Sequence, residues 1–128
     1  MNNTGSIGES EFSTRCLRHG IAVNLPITHY SPYDALIDNG KDVYKIQVKT
    51  TTQNDQKNSY RFNCGKGSSS KNKYTSKEVD FFALYILPLN RMYIVPIDEI
   101  KTKTVRIYPD KNNHIYSKYL ENFSILKK

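Results

Sequence analysis

Tryptophan is absent from this 128-residue chain, and cysteine is nearly so, with Cys16 and Cys64 the only two. They stand far apart without C-x-x-C spacing, and the three histidines, His19, His29 and His114, are scattered. This excludes a disulfide-stapled secreted scaffold and a zinc-finger pattern, and predicts a reduced, intracellular (cytoplasmic) setting. No apolar run approaches the roughly 20 residues that cross a bilayer, so no membrane partner is expected. The opening MNNTGSIGES lacks the basic and apolar regions of a signal peptide. Negative charge is also in deficit: 12 Asp and Glu stand against 19 Lys and Arg, a net charge of +7. That excess points to a polyanionic partner, nucleic acid above all. What the chain does have is ten tyrosines and a 38% apolar fraction, enough for one folded domain over residues 1–128.

Periodicity predicts a helix over residues 6–19, with Phe12, Cys16, Leu17 and the earlier Ile7 on its buried side and Gly20 as its C-terminal cap. IAVNLPI reads as a short strand ended by Pro26, and Tyr30 to Pro32 as a loop. YDALIDNGKDVYKIQVKTT reads as a β-hairpin turning at Asn39-Gly40. With the loop at residues 39–42, Asp38 opposes Val43, Ile37 opposes Tyr44 and Asp34 opposes Gln47. Opposed residues share a face, so Asp34, Gln47 and Lys49 gather on one side, and Ala35, Ile37, Tyr44, Ile46 and Val48 on the other. A two-residue loop would shift the register by two and leave the faces unchanged.

Downstream, YRFNC is a candidate strand, and GKGSSSKNK makes residues 65–73 a basic loop expected to be mobile. VDFFALYIL and MYIVPI are partner strands joined by a turn at PLNR, with a short helix expected near Asp98 and Glu99. Tyr116, Tyr119, Leu120 and Phe123 fall on one face of a predicted C-terminal helix that docks on the sheet or, with that face free, supplies an oligomer interface.

An acid opposite a Gln-x-Lys on the next strand has a recognisable chemistry. Phosphodiester hydrolysis needs a hard cation, a positioned water and neutralisation of charge on the phosphate. Magnesium takes oxygen ligands and keeps several waters, so one or two protein carboxylates suffice. Asp34 supplies one ligand and the backbone carbonyl of Val48 another, while Gln47 offers a neutral oxygen. Lys49 is placed to orient the attacking water or to stabilise developing charge on phosphorus.

These residues resemble the PD-(D/E)XK nuclease superfamily, in the variant where Gln replaces the second acid. More narrowly, GSIGE, CLRHGIAV, PYDALID, YKIQVKTT and VDFFALY with MYIVPIDEI are similar to the small group that includes the group I intron homing endonuclease of cyanobacteria, over roughly residues 5–100. The resemblance implies an α/β fold, a mixed sheet flanked by helices, with the active site on the hairpin. It implies a carboxylate on the first helix facing the site: Glu9 matches by position, with Glu11 its rival. It also implies a Mg2+-dependent endonuclease of homing or restriction type acting on double-stranded DNA, with Mn2+ able to substitute. A Holliday junction resolvase is the alternative within the class. Cutting two strands with one active site per chain implies a homodimer or homotetramer.

Other residues have plainer readings. Asp80 is expected to hydrogen-bond the loop or sheet, with metal or DNA binding as the alternative, and His29 and Tyr30 to pack in their loop, with a substrate contact as the alternative. Arg61, Lys66, Lys71 and Lys73 are candidate DNA contacts through phosphates, and Arg61 is also placed to read a base edge. The competing function is a DNA-binding domain of degenerate nuclease fold without catalysis, which would bind equally well in chelator. RNA binding is a weaker third possibility.

Overall fold

The computed structural model describes residues 3–28, 30–65 and 74–128. His29, Lys66, Lys71, Lys73 and all of the predicted basic loop after Gly65 lie outside these. Helix α1 spans Thr4–Arg18. Strands β1 (Ala22–Asn24), β2 (Ala35–Asp38), β3 (Val43–Thr51), β4 (Tyr60–Asn63), β5 (Phe81–Ile86), β6 (Arg91–Pro96) and β7 (Thr104–Ile107) follow. Five of them form a mixed sheet in the order β1-β2-β3-β5-β6, and β4 pairs with β7 in a separate two-stranded sheet. Only β3 and β5 run parallel; β1–β2, β2–β3 and β5–β6 are antiparallel.

The hairpin adopts the expected register, with Asp38 opposite Val43 and Ile37 opposite Tyr44. Gly40 takes a positive φ of 87° in its loop, a conformation that glycine adopts without steric cost. The face assignment holds for the apolar residues, whereas Asp34, expected opposite Gln47, stands just before β2, with its amide on Ile46 O instead. Ala35, Ile37, Ile46 and Val48 enter a core beneath α1, together with Phe12, Cys16, Ala83, Tyr85, Met92 and Ile94. Phe82, Leu84, Ile86, Tyr93 and Val95 point the other way, into a second core covered by Phe62, Val105 and Ile107 of the small sheet. Strand β5 is thus buried on both faces, which is why VDFFALYIL carries no alternation.

One flank of the sheet is helical, as expected; the other is covered by β4 and β7. Strand β7, only four residues long, was not anticipated. The end of α1 is a Schellman closure: the amide of Gly20 donates to Leu17 O at 3.1 Å and that of Ile21 to Cys16 O at 2.8 Å. Its buried stripe is Gly8, Phe12 and Cys16. Leu17 and Ile7, assigned by spacing to the buried side, are 68% and 43% exposed. The helix is turned so that a glycine meets the sheet: a Cβ on Gly8 would stand 1.9 Å from Thr50 Oγ1.

The predicted C-terminal helix is replaced by two 3-10 turns, Ser117–Tyr119 and Phe123–Lys127. Tyr116 and Tyr119 pack in the core under the small sheet, whereas Phe123 and Leu126 pack in the core under α1. Between them Glu121, at a positive φ of 48°, donates its amide to Met92 O at 2.7 Å and accepts Met92 N–H on Oε2 at 2.8 Å. The segment therefore wraps the β6 edge and closes both cores. A continuous helix presents one apolar face, and this chain has two to fill. Of the predicted apolar face only Leu120 is left exposed, at 39%. Among the described residues no helix is long and apolar enough to cross a membrane.

Candidate active site

Strand β3 outruns β2. Its partner begins at Ala35, so the β3 edge beyond Ile46 has no strand beside it. At this junction Asp34 N–H donates to Ile46 O at 2.8 Å, and Asp34 Oδ2 accepts the Val48 amide at 2.8 Å. The carboxylate thereby satisfies a donor that the missing strand would have taken. The N–H and C=O of a strand residue face the same edge, so the Val48 carbonyl faces the gap that Asp34 borders.

The Asp34 carboxylate, tied to Val48, feels the charges of both Glu9 and Lys49. On the helix side, Asp34 and Glu9 line one cavity of about 390 Å³, walled by Leu25, Pro26, Ile27, Thr28, Ser31 and Tyr33. Partial burial, and then the charge of Asp34, push the Glu9 carboxyl above its ordinary value. Burial also raises Asp34, opposed by the Val48 amide and by the positive charge of Lys49. Glu11, the rival of Glu9, is committed elsewhere. It accepts from Arg15 Nη1 at 2.6 Å, and Arg15 Nε also donates to Glu121 at 2.9 Å.

On the other face, Gln47 and Lys49 lie opposite Phe82 and Leu84 of β5. They share a face with each other but do not line the Glu9–Asp34 cavity. Lys49 Nζ stands 5.9 Å from the ring centre of Tyr74, whose edge meets Phe82 with ring centroids 5.7 Å apart. Tyr74 was not singled out by sequence reasoning, since it follows a polar stretch with no periodicity. Gly8 was also missed as a positioning residue. Its signal was present in GSIGE, a glycine immediately before the candidate acid.

Asp80 has the structural role expected of it: its Oδ2 accepts the Lys45 amide at 2.8 Å, and its own amide donates to Lys45 O at 2.8 Å. Tyr30 does not pack in its loop; it is 94% exposed. Among the described residues nothing covers it. Arg61 lies exposed on β4 opposite Arg106. It lines a polar cavity of about 320 Å³ with Thr51 to Asp55, just past the end of β3. Arg106 is held by Asp55 at 2.7 Å.

Among the described residues, no group of three or more His, Cys, Asp or Glu side chains comes together. The donors gathered at the gap are two carboxylates and a backbone carbonyl, all hard oxygens. That set suits Mg2+, Mn2+ or Ca2+, which complete their shells with water, rather than zinc.

The family model for PD-(D/E)XK endonuclease matches residues 1–126. No curated protein sequence matches the chain. Among solved structures, the fold is similar to that of the bacterial homing endonuclease I-Ssp6803I, with a TM-score of 0.80 and 19% identity over 97% of this chain and 88% of that one. It is also similar to Hjc, a Holliday junction resolvase from Archaeoglobus fulgidus, with a TM-score of 0.59 and 16% identity over 97% of this chain and 96% of the other. At these identities the likeness is one of fold.

Proposed function

Because the chain belongs to the PD-(D/E)XK endonuclease family, whose members generally use divalent metal ions, we propose that it is a Mg2+-dependent endonuclease of homing type that cleaves double-stranded DNA. The observation that supports this reading is Asp34 at the end of β2, sharing a cavity with Glu9, bonded to the Val48 amide and within the electrostatic reach of Lys49 on the other face of the sheet.

Asp34 would hold the cation through Oδ1, since Oδ2 is engaged by the Val48 amide. The Val48 carbonyl and Glu9 would complete the protein's share, Glu9 directly or through water. A bound divalent cation supplies Lewis-acid polarisation of the scissile phosphate and a water of lowered pKa. Lys49 then orients the attacking water and stabilises charge on the phosphate as it develops, worth most where solvent is displaced. Gln47, on the same face, orients that water through its neutral amide. Arg61, beyond the end of β3, neutralises a flanking phosphate. One such site cuts one strand, so double-strand cleavage calls for a homodimer or homotetramer.

The test is cleavage of a mixed pool of supercoiled, linear and four-way-junction DNA with Mg2+, with Mn2+ and with chelator, comparing wild type and Lys49→Ala. Nicking or cutting that needs the metal and disappears in the variant, with binding retained, is expected. Preferential resolution of the junction would move the assignment to a resolvase. Chelator-insensitive binding without cleavage of any member of the pool would favour a non-catalytic DNA-binding domain.

A further inference from the structure

The β1–β2 connection carries an unusual concentration of unprotected apolar surface. Leu25 is 62% exposed, Ile27 97% and Tyr30 94%. Isolated exposed apolar residues are ordinary, but these three stand in one short connection. Leu25 and Ile27 themselves line the cavity that holds Glu9 and Asp34, as do Thr28 and Ser31 on either side of the Tyr30 region. Pro26 and Pro32 bracket the segment and fix φ at both ends. Part of the ordering cost that a loose loop would meet on binding is thereby already met.

Resting on the endonuclease reading above, we infer that Ile27 and Tyr30 form a wedge that enters the DNA stack beside the scissile phosphate and holds a base step open. A phosphate that reaches Asp34 brings its own sugar and neighbouring bases against the connection that walls the cavity. A second copy of the chain seated on Ile27 would instead cover the cavity mouth and exclude the substrate. The chemistry also fits nucleic acid. Apolar side chains such as Ile are used as wedges between base steps, and an aromatic ring stacks on any base without regard to sequence. The chain's net charge of +7 provides the phosphate attraction that a purely apolar tip lacks.

The wedge makes a prediction that the catalytic residues do not. DNA whose bases are already unstacked spares the protein the cost of unstacking, so it should bind more tightly than paired DNA. Binding is measured by fluorescence anisotropy in chelator, where no cleavage occurs. The probes are a synthetic duplex and the same duplex with a central mismatched bubble. Wild type should favour the bubble by roughly tenfold or more, because the cost of unstacking a paired step is spared. The double variant Ile27→Ser/Tyr30→Ser should bind both probes alike, with an unchanged thermal midpoint because neither side chain is in the core. Tyr30→Phe should keep the preference. Equal binding of the two probes by wild type, binding of neither, or an undiminished preference in the double variant would each overturn the wedge. A double variant that falls to monomer on a sizing column while keeping the bubble preference would reassign the surface to a second copy. Cleavage with Mg2+ is scored separately. Loss of the nuclease reading appears there as no cutting by wild type with the bubble preference intact. Loss of the wedge leaves cutting in place and removes only the preference.

Discussion

Asp34 Oδ2 takes the backbone amide of Val48 at 2.8 Å, so a side-chain carboxylate stands where the next residue of β2 would have offered a carbonyl. Asp80 makes a matching contact with the Lys45 amide from the start of β5, yet the two aspartates differ in what else they meet. Asp80 also donates its own amide to Lys45 O at 2.8 Å and accepts the Ile97 amide on its carbonyl at 2.9 Å, which ties it into the sheet through side chain and backbone. Asp34 faces a cavity shared with Glu9. The same local chemistry yields a structural clasp in one place and a candidate ligand in the other.

On the proposed function, the two carboxylates at the cavity would make metal binding pH-dependent. Both Glu9 and Asp34 are raised above their ordinary values, so the metal-free fold holds its protons more tightly than the unfolded chain does. The stability from this source is present below the unfolded carboxylate values and is lost as pH rises through the raised ones. Mg2+ should therefore raise the thermal midpoint at neutral pH, and the increment should shrink as pH falls through the raised carboxylate range, because protons then compete with the cation. Glu9→Gln should raise the metal-free midpoint at neutral pH and diminish the Mg2+ increment. Differential scanning fluorimetry across pH, with and without Mg2+, reads both; a Mg2+ increment in Glu9→Gln equal to that of wild type would remove Glu9 from the site.

Gly8 sets the height of α1 above β3. A Cβ there would lie 1.9 Å from Thr50 Oγ1 and 3.2 Å from Thr50 Cβ, so Gly8→Ala must displace either the Thr50 side chain or the helix, and a displaced helix carries Glu9 with it. Overpacking of this kind costs about 1–3 kcal/mol, measurable by urea unfolding. Cleavage should fall further than the lost stability accounts for, and Gly8→Ala/Thr50→Ala should recover part of both. Because Thr50 Oγ1 is buried without a hydrogen-bond partner, its removal alone should be well tolerated.

Tyr74 supports the ammonium of Lys49, whose Nζ lies 5.9 Å from the ring centre. A cation–π contact at a partly solvated site is worth about 0.5–1 kcal/mol, so Tyr74→Ala should lower kcat roughly two- to fivefold. KM should change little and Tyr74→Phe should be close to wild type. Equal losses in the Phe and Ala variants would assign the effect to the tyrosine hydroxyl instead.

Arg61 is exposed and lies beyond the end of the strand that carries Lys49. If it neutralises one phosphate, Arg61→Ala should weaken binding across unrelated sequences and reduce the slope of log affinity against log salt by about 0.9. A loss confined to one base position, with the slope unchanged, would make Arg61 a base reader. Titrations at several salt concentrations on two unrelated duplexes separate the cases.

Local pattern by itself determined the hairpin and its register. Asn39-Gly40 bends the chain, and a period of two then assigns every residue of YKIQVKTT to a face, because side chains in a strand alternate whatever lies around them. The same alternation put Gln47 and Lys49 together on one face of β3, while Asp34, expected opposite Gln47, stands just before β2 begins and shares a cavity with Glu9 on the helix side instead. Tertiary structure decided what a one-dimensional pattern does not carry. Glu9 was separated from Glu11 because Arg15 claims the latter, and that choice depends on Glu121 arriving from the far end of the chain. The apolar stripe of α1 was turned onto Gly8 by the need for close approach to Thr50, a contact between elements distant in sequence. The C-terminal segment gave up a helical course because Tyr116 and Tyr119 fill one core while Phe123 and Leu126 fill the other. Periodicity records which residues of one element share a face; which neighbour covers that face is settled only when the whole sheet is assembled.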